Sequence, residues 1–385
     1  MWQAEWEPGL VKMTTDVDKI DTLVKEAVAL LQNLISTPSF SNEEAGAADI
    51  WEAWMKCKKI GTLRRFHNNV YAMSENFDAS KPILLLNSHL DTVKPAPSYT
   101  RDPFRPDIEE GILYGLGSND AGASGVALAM AFLSFYKKCL PFNLLLAISA
   151  SEEKMGEFGM RALLPHLKEI GLYPSMAIVG EPTQCKAAIG ERGLVVCDAE
   201  AKGVSGHAAR MEGINAIYRT IEDIDIIRNF IFPIESEILG PIGLNVTMIE
   251  GGTQHNVVPD KCSYVIDMRT TDAYSNEETV KVLQEALKWS KLTPRSTRIR
   301  ASVLKPTSPL FEVADLLNME KYVSPTTSDM ALMHEFDSIK IGPGDSARSH
   351  SADEYIKIEE IKQGIVTYIK FMETLARIYE NKPQK

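Results

Sequence analysis

The sequence lacks paired cysteines, a surplus of basic charge and long apolar runs, and each absence excludes a class of protein. Its five cysteines, Cys57, Cys139, Cys185, Cys197 and Cys262, show no CxxC spacing. We interpret them as reduced thiols that mostly pack, not as nucleophiles or a thiolate zinc site. A net charge of −11 argues against a nucleic-acid partner. No apolar run reaches the roughly 18 residues of a spanning helix, which argues against a membrane protein.

The length of 385 residues exceeds one ordinary hydrophobic core, so two domains are expected. The N-terminal stretch MWQAEWEPGLVKM is acidic and mixed, unlike a secretory signal. Together with the unpaired cysteines it predicts a cytoplasmic protein. Internal repeats and low-complexity segments are absent from the sequence.

Apolar strands alternate with amphipathic helices up to about residue 190. Three- and four-residue spacing predicts two helices between residues 17 and 60, the second opening with a capping-box-like Ser41 and Glu44. Apolar runs and helical stretches follow in the order NVYAM, PILLLNSHLDT, SGVALAMAFLSFYKKCL, FNLLLAISAS, FGMRALLPHLKEIG and SMAIVGEPT. This alternation predicts an α/β sheet covered by helices on both faces.

The pattern changes near residue 190 to alternating apolar and polar residues. Four such runs, GLVVCDAEAKG, GLNVTMIEGG, SYVIDMRTT and STRIRASVLKP, enclose two helical stretches in the order βαββαβ. After about residue 307 we expect helix and loop, including TSDMALMHEF and SIKIGPG, and a long final helix. The prediction is an α/β catalytic domain built from residues 1–190 and 307–385, with a ferredoxin-like βαββαβ domain, residues 191–306, inserted between them.

Histidines and carboxylates recur where the predicted strands end, which is where open α/β sheets place ligands. Imidazole nitrogen and carboxylate oxygen suit zinc, and one carboxylate can bridge two ions about 3.5–4 Å apart. We therefore expect a two-metal hydrolytic site at this edge. The candidates are His89 and Asp91 of NSHLDT, Asp120 of GSNDAG, Glu152 and Glu153 of SASEE, Glu181 of GEPT and His350 of RSHSADEY.

Each of these signals also has a plainer interpretation when it is taken alone. Asp120 before a helix is a common N-cap, and adjacent glutamates are usually a solvated pair. In a metal site, however, one glutamate can bind the ion while its neighbour serves as general base for water, and the metal charge offsets their repulsion. Asp91, two residues after His89, can hold the second imidazole nitrogen.

Ten motifs, in this order, resemble the zinc amidohydrolase and exopeptidase family that includes acetylornithine deacetylase, succinyl-diaminopimelate desuccinylase, aminoacylase and the glutamate carboxypeptidases. They are LISTPSFSNEE, HLDT, GSND, SEE, GEPT, GVSGHAAR, GGTQHNVVPD, DMRT, GPG and SHSADEYI, and they cover nearly the whole chain. The resemblance implies two zinc ions, with cobalt or manganese as alternatives. It implies that Asp120 bridges them, that His89 and Glu181 complete one site, and that Glu153 and His350 complete the other.

The resemblance also implies roles outside the ligand set. Asp91 would orient His89, and Glu152 would be the general base that later protonates the leaving amine. The inserted domain would be a dimerisation lid, so we expect a homodimer, with His207 of SGHAA reaching the partner's active site to stabilise the oxyanion. Substrate contacts would come from Arg269 of DMR, Asn256 of HNVVP and Gly344 of GPG.

The chain departs from the family pattern at two places. The run DAGASG after the bridging aspartate lacks the usual lysine, and Arg210 replaces the proline that usually follows HAA. Arg210 could meet an anionic substrate or simply be an exposed arginine. His67, His166 and His334 are interpreted as surface or packing residues, and the methionines of DMALMHEF as core. His255, next to Asn256, could be near substrate, but we expect that it has no such role.

The expected function is removal of an acetyl or succinyl group from a small N-acyl amino acid. The motifs SNDAGASG and SEEKMGEFGM, together with the short chain, most resemble the acetylornithine deacetylase branch. This resemblance implies an ornithine- or citrulline-type substrate in arginine biosynthesis. A di- or tripeptidase is the second reading, since the same metal chemistry cuts peptide bonds. A non-catalytic metal-binding homologue is the third, and the intact Glu152 and five ligands argue against it.

Overall fold

The computed structural model describes residues 17–381, and the N-terminal stretch discussed above lies outside them. The helices are α1 Val17–Ile35, α2 Ala45–Cys57, α3 Ala123–Phe135, α4 Met160–Glu169, α5 Ala216–Asn229, α6 Asn276–Ala286, α7 Pro309–Leu316 and α8 Ile358–Asn381. The strands are β1 Arg64–Phe66, β2 Asn69–Met73, β3 Ile83–His89, β4 Ile108–Glu109, β5 Ile112–Tyr114, β6 Asn143–Ser149, β7 Met176–Val179, β8 Ala187–Glu191, β9 Gly193–Lys202, β10 Gly206–His207, β11 Gly243–Gly251, β12 Val257–Val258, β13 Lys261–Thr270, β14 Ser290–Pro294, β15 Ser302–Val303, β16 Lys321–Ser324, β17 Asp337–Lys340 and β18 Tyr355–Lys357. Within this part of the chain, none of the helices combines the length and apolar character needed to cross a bilayer.

A nine-stranded mixed sheet forms the larger layer, in the order β1-β2-β6-β3-β7-β17-β8-β15, with β16 paired to β8. Its centre is parallel: β3 pairs in parallel with β6 and β7, and β17 pairs in parallel with β7. The central strands are apolar throughout and buried on both faces, as the sequence predicts for a sheet covered on both sides. Three neighbouring strands therefore end at the same edge.

Helices cover both faces of this sheet. On one face α3 is buried along its whole length beneath α1 and α8, because its sequence ASGVALAMAFLSF offers almost no polar side. On the other face α4 packs with Met330 and Met333, which are fully buried, as expected for the methionines of DMALMHEF. The predicted fold class, a mixed sheet covered by helices, is confirmed.

A separate four-stranded antiparallel sheet is built from β9, β11, β13 and β14, in the order β11-β13-β9-β14. With α5 and α6 it follows the βαββαβ order, and this group of elements, residues 193–294, is called the four-stranded unit below. One strand was placed wrongly. The fourth strand is β14 and not STRIRASVLKP, whose β15 instead pairs with β8 in the large sheet. The domain limits at residues 190 and 306 stay a prediction.

Two further expectations from the sequence were wrong. The segment after residue 307 contains strand β17, in the interior of the large sheet, and not only helix and loop; its Lys340 is buried because it pairs with Glu191 at 2.9 Å. In TSDMALMHEF, which was expected to belong to this stretch of helix and loop, Asp329–Leu332 forms a 3-10 turn. Ser41 and Glu44 form no capping box either, since α2 begins at Ala45. The Ser41 hydroxyl instead donates to Asp91, and the Glu44 carboxylate accepts the hydroxyl of Ser151.

Candidate active site

The ends of three parallel strands bring the predicted ligands together. Along β3, β6 and β7 the register pairs His89 with Ser149 and Asn87 with Val179, so the three strands finish side by side. His89 ends β3, the Glu152–Glu153 turn follows β6, and Glu181 follows β7. Two loops, which carry Asp120 and His350, complete the edge.

The first cluster consists of His89, Asp120 and Glu181. The His89 Nε2 lies 3.4 Å from Asp120 Oδ1 and 3.8 Å from Glu181 Oε1, and one ligand atom from each residue falls within 4.8 Å of the others. The His89 Nδ1 is 2.9 Å from the main-chain carbonyl of Asp91. A carbonyl only accepts, so Nδ1 carries the proton and Nε2 is left to face the carboxylates and a cation.

The second cluster consists of Asp120, Glu153 and His350, again with ligand atoms within 4.8 Å of one another. The His350 Nε2 lies 3.0 Å from Glu153 Oε2 and 3.5 Å from Asp120 Oδ2. Asp120 thus offers Oδ1 to the first cluster and Oδ2 to the second. This is the geometry that a carboxylate bridging two ions requires.

Glu152 belongs to neither cluster but lies beside the first, with Oε2 4.0 Å from His89 Nε2. It is buried, and burial together with the charges of Glu181 and Asp329 raises its pKa well above the usual carboxylate value. A buried carboxylate next to the ligands, and not among them, is placed to exchange a proton with a reacting group.

Asp91 acts on the Glu152–Glu153 turn more directly than on His89. Its Oδ1 accepts the N–H of Glu152 at 2.9 Å, and its Oδ2 accepts the N–H of Glu153 at 3.2 Å and the hydroxyl of Ser41 at 2.7 Å. The carboxylate is 3.7 Å from His89 Nδ1, while the main-chain carbonyl of the same residue makes the closer contact. One residue therefore orients both the imidazole and the two glutamates.

Three buried carboxylates at the site were missed by the sequence reasoning. Glu44 accepts the N–H and the hydroxyl of Ser151, which precedes the glutamate pair in a left-handed conformation. Asp329 accepts the hydroxyl of Ser149 at 2.6 Å, and burial raises its pKa to about 6. Glu354 accepts three main-chain donors of the Asp120 loop. Glu44 and Glu354 lie in motifs quoted above, LISTPSFSNEE and SHSADEYI, but neither was predicted to be at the site.

The electrostatics of this edge fit divalent cations. Burial raises the pKa of Glu181 to about 8, and it also raises that of Asp91. Burial alone would lower the pKa of His89, but the carboxylates around it, with Asp120 first, hold that pKa well above its usual value. The hydrogen bond to Glu153 raises the pKa of His350 to about 9. Crowded carboxylates with raised pKa values become stable as anions once positive ions lie between them.

The predicted residues of the four-stranded unit lie apart from these clusters. His207 pairs with Val257 between the short strands β10 and β12, and the carbonyl of Asn256 accepts the N–H of Ala208 at 3.0 Å. Both side chains are exposed, and in residues 17–381 neither has a hydrogen bond or ion pair to the ligands. Arg269 is held by Asp267 of its own strand at 2.8 Å.

Gly344 lies close to the ligand loops. Its φ of +88° and the 2.4 Å distance from a built Cβ to Asn119 Oδ1 explain why no larger residue fits there. Arg210 is exposed, with Glu212 no nearer than 4.0 Å. His166 stacks on Phe66 at 4.0 Å between ring centres, a packing role as expected.

Comparison with known proteins identifies the family. The model of peptidase family M20/M25/M40 matches residues 85–374. The succinyl-diaminopimelate desuccinylase of Helicobacter pylori strain J99 is 29% identical over 375 residues, covering 88% of this chain and 96% of that protein. The desuccinylase of Sulfurovum sp. strain NBC37-1 is 30% identical over 264 residues, covering 66% of this chain and 70% of that protein.

Solved structures show the same fold at low identity. The aminopeptidase PepT of Bacillus cereus ATCC 10987 superposes with a TM-score of 0.71 at 17% identity, covering 93% of this chain and 99% of that one. The YXEP protein of Bacillus subtilis, described as a dinuclear metal binding peptidase from the M20 family, gives 0.71 at 14% identity, covering 94% and 100%.

Proposed function

Since the chain belongs to peptidase family M20/M25/M40 and is a metal-dependent hydrolase, we propose that it removes a succinyl or acetyl group from a small N-acyl amino acid. The observation that carries this proposal is the shared Asp120, whose two oxygens face two clusters of ligands, with the unligated Glu152 beside them. Loss of any ligand or of Glu152 would have favoured a non-catalytic homologue.

Five residues would hold two divalent ions: His89 and Glu181 one ion, Glu153 and His350 the other, and Asp120 both. The nitrogen and oxygen donor set favours zinc, with cobalt or manganese as alternatives. Such ions supply Lewis-acid polarisation of the scissile carbonyl and acidify water.

Glu152 would then move the proton. With positive ions held by the five ligands, the pKa of Glu152 would fall from its raised value, and its carboxylate would accept a proton from the attacking water. The same oxygen returns that proton to the amine as the amide bond breaks. Asp91 keeps Glu152 in place through the hydrogen bond to its main-chain N–H.

The identity of the acyl group and of the amino acid rests on the comparison with relatives. Relatives 29–30% identical to the chain are named for removing succinyl from diaminopimelate. None of the relatives named above is an acetylornithine deacetylase, so the ornithine- or citrulline-type substrate stays a prediction. The peptidase reading has weaker support, because the peptidase structures are 14–17% identical and carry the fold alone.

A second copy of the chain would complete the site. Within residues 17–381 the edge strand β11 has one unpaired side. It exposes Met248 and Ile249, while α5 exposes Tyr218 and Ile221. An edge strand beside apolar side chains is a typical surface for pairing with a second copy. In a homodimer formed there, His207 of one chain would serve the ligands of the other, which fits its exposed position.

A substrate panel tests the proposal. Chelator-stripped protein is restored with Zn²⁺ or Co²⁺, and amine release is measured from N-succinyl-diaminopimelate, N-succinyl- and N-acetylornithine, N-succinyl- and N-acetylcitrulline, dipeptides and tripeptides. Metal-dependent turnover of acylated amino acids with inert peptides supports the deacylase. Turnover of peptides alone would replace it with the peptidase, and failure to bind two ions would overturn the site.

A further inference from the structure

The carboxylate of Glu354 holds the loop that presents Asp120. Glu354 is only 2% exposed. Its Oε2 accepts the N–H of Gly117 at 3.0 Å, and its Oε1 accepts the N–H groups of Asn119 at 2.8 Å and Asp120 at 2.9 Å. One side chain therefore receives three main-chain donors from four consecutive residues.

The loop needs such an acceptor because its backbone is irregular. Gly117 has φ +76°, and a Cβ there would lie 2.6 Å from Thr92 Cγ2. Asp120 has φ −115° and ψ 100°, which is not helical although α3 begins soon after it. Main-chain N–H groups in such a turn find no helical partner, and buried ones require another acceptor. Glu354 provides it.

The same contacts tie the loop to the segment that carries His350. Asn119 donates from Nδ2 to the carbonyl of Asp345 at 3.0 Å and accepts the N–H of Asp345 at Oδ1, also at 3.0 Å. His350 lies between Asp345 and Glu354 in the chain. The Asp120 loop is thus joined to this segment on both sides of His350.

We propose that Glu354 is a positioning residue that sets Asp120 and His350 relative to each other and so governs binding of the second metal ion. This rests on the two-ion site proposed above. In the first cluster only Asp120 depends on Glu354, because His89 is the last residue of β3 and Glu181 follows β7. In the second cluster two of the three ligands, Asp120 and His350, depend on it.

The test uses Co²⁺ as the probe. Apo protein, prepared with a chelator and checked for folding by circular dichroism, is titrated with Co²⁺ and followed by calorimetry and by visible absorption. Glu354→Gln keeps one carbonyl oxygen as acceptor and turns an amide N–H₂ toward the remaining donor. We expect the dissociation constant of one of the two ions to rise about 10–100-fold. That of the other ion should change far less.

Asp223→Asn is the matched control. Asp223 is fully buried and accepts the N–H groups of Lys288, Trp289 and Ser290 in the four-stranded unit, so the substitution removes the same kind of interaction away from the ligands. Its apo protein should lose thermal stability much as Glu354→Gln does. Both Co²⁺ ions should bind it as they bind the parent.

Three outcomes would overturn the inference. If Glu354→Gln takes up both ions as the parent does, the carboxylate is merely structural and the inference is overturned. Equal weakening in Asp223→Asn would overturn it as well, because loss of stability would then explain the effect. A parent that binds fewer than two Co²⁺ overturns the proposed site and the inference with it. If Glu354→Gln does not fold, Glu354→Asp, which keeps the charge on a shorter side chain, must show the same selective loss.

Discussion

Two regions of the molecule differ in how many hydrogen bonds fix their functional residues. One is the edge of the large sheet that carries Asp120, Glu152 and Glu153, and the other is the exposed turn at residues 206–210 of the four-stranded unit, which carries His207. At the edge, Glu152, Glu153 and Asp120 have main-chain N–H groups bound by buried carboxylates, Asp91 and Glu354. In the exposed turn, the only hydrogen bond of the His207 ring in the described chain is with the N–H of Ala209 at 3.2 Å.

This difference fits the proposal that the ligand half of the site is complete in one chain and that His207 acts from a second copy. Ligands that hold ions must be preorganised, because a displacement of an ångström weakens both coordination and catalysis. A residue that meets substrate from another chain can remain exposed until that chain or the substrate arrives. Four changes to the protein test this difference between the two regions, and the first of them removes the metal ions.

Removing the metal should have the largest effect. Hydrolysis should be abolished, and adding an ion at about a thousandfold above its dissociation constant should stabilise the folded protein by roughly 4 kcal/mol. Hydrogen exchange should speed up at residues 117–121 and 151–155 on chelation but not at 206–210. Amine release, calorimetric Tm and exchange rates measure this. Equal deprotection of all three segments would contradict the contrast between the two regions.

Glu152→Gln should lower kcat by about 10²–10⁴, because the amide cannot accept the proton of the attacking water. The content of bound metal should be unchanged, since Glu152 belongs to neither ligand cluster. Glu157→Gln, at an exposed glutamate on the same loop, is the control and should act as the parent does. Retention of more than a tenth of kcat would remove Glu152 from its proposed role.

His207→Ala should cost roughly 2.7–4 kcal/mol of transition-state stabilisation, as loss of an oxyanion donor does. Metal binding should remain unchanged, because within residues 17–381 His207 makes no hydrogen bond to the ligands. His255→Ala, at an exposed histidine next to Asn256, is the matched control and should be silent.

Mixing the two inactive variants locates His207. In a dimer of one Glu152→Gln chain with one His207→Ala chain, one of the two sites receives both intact residues. Random exchange should therefore restore about a quarter of the parent activity. If mixing restores nothing while subunits exchange, His207 acts within its own chain or not at all.

Ser41→Ala should have the smallest effect, because Asp91 keeps its hydrogen bonds to the N–H groups of Glu152 and Glu153. Loss of the 2.7 Å hydroxyl contact should lower kcat about tenfold or less, as expected for about 1 kcal/mol. Ser36→Ala removes an exposed serine hydroxyl that bonds within α1 and should leave kcat unchanged. A loss as large as that of Glu152→Gln would mean that Ser41, and not the main chain, fixes Asp91.

The sheet and the ligand positions were predictable because they depend on local patterns. Continuous apolar runs such as ILLL give buried strands, and the residues that end parallel strands must meet at one edge. Strand β17 was not predicted, because the charged Lys340 at its end is typical of an exposed loop and not of a buried strand. Its partner Glu191 is 149 residues away in the chain. The capping box at Ser41 and Glu44 failed for the same reason, because both side chains have long-range partners.

The fold class, the family and the residues able to hold two ions could be inferred without coordinates, because periodicity and motif spacing are properties of the chain. Which carboxylates bind main-chain N–H groups, and which lie among the ligands, follows only from the folded arrangement. The sequence did not predict that Asp91, Glu44 and Glu354 bind main-chain N–H groups, because these hydrogen bonds join segments 61, 107 and 234 residues apart. Such pairings follow from how loops cross at the sheet edge, which no local pattern records.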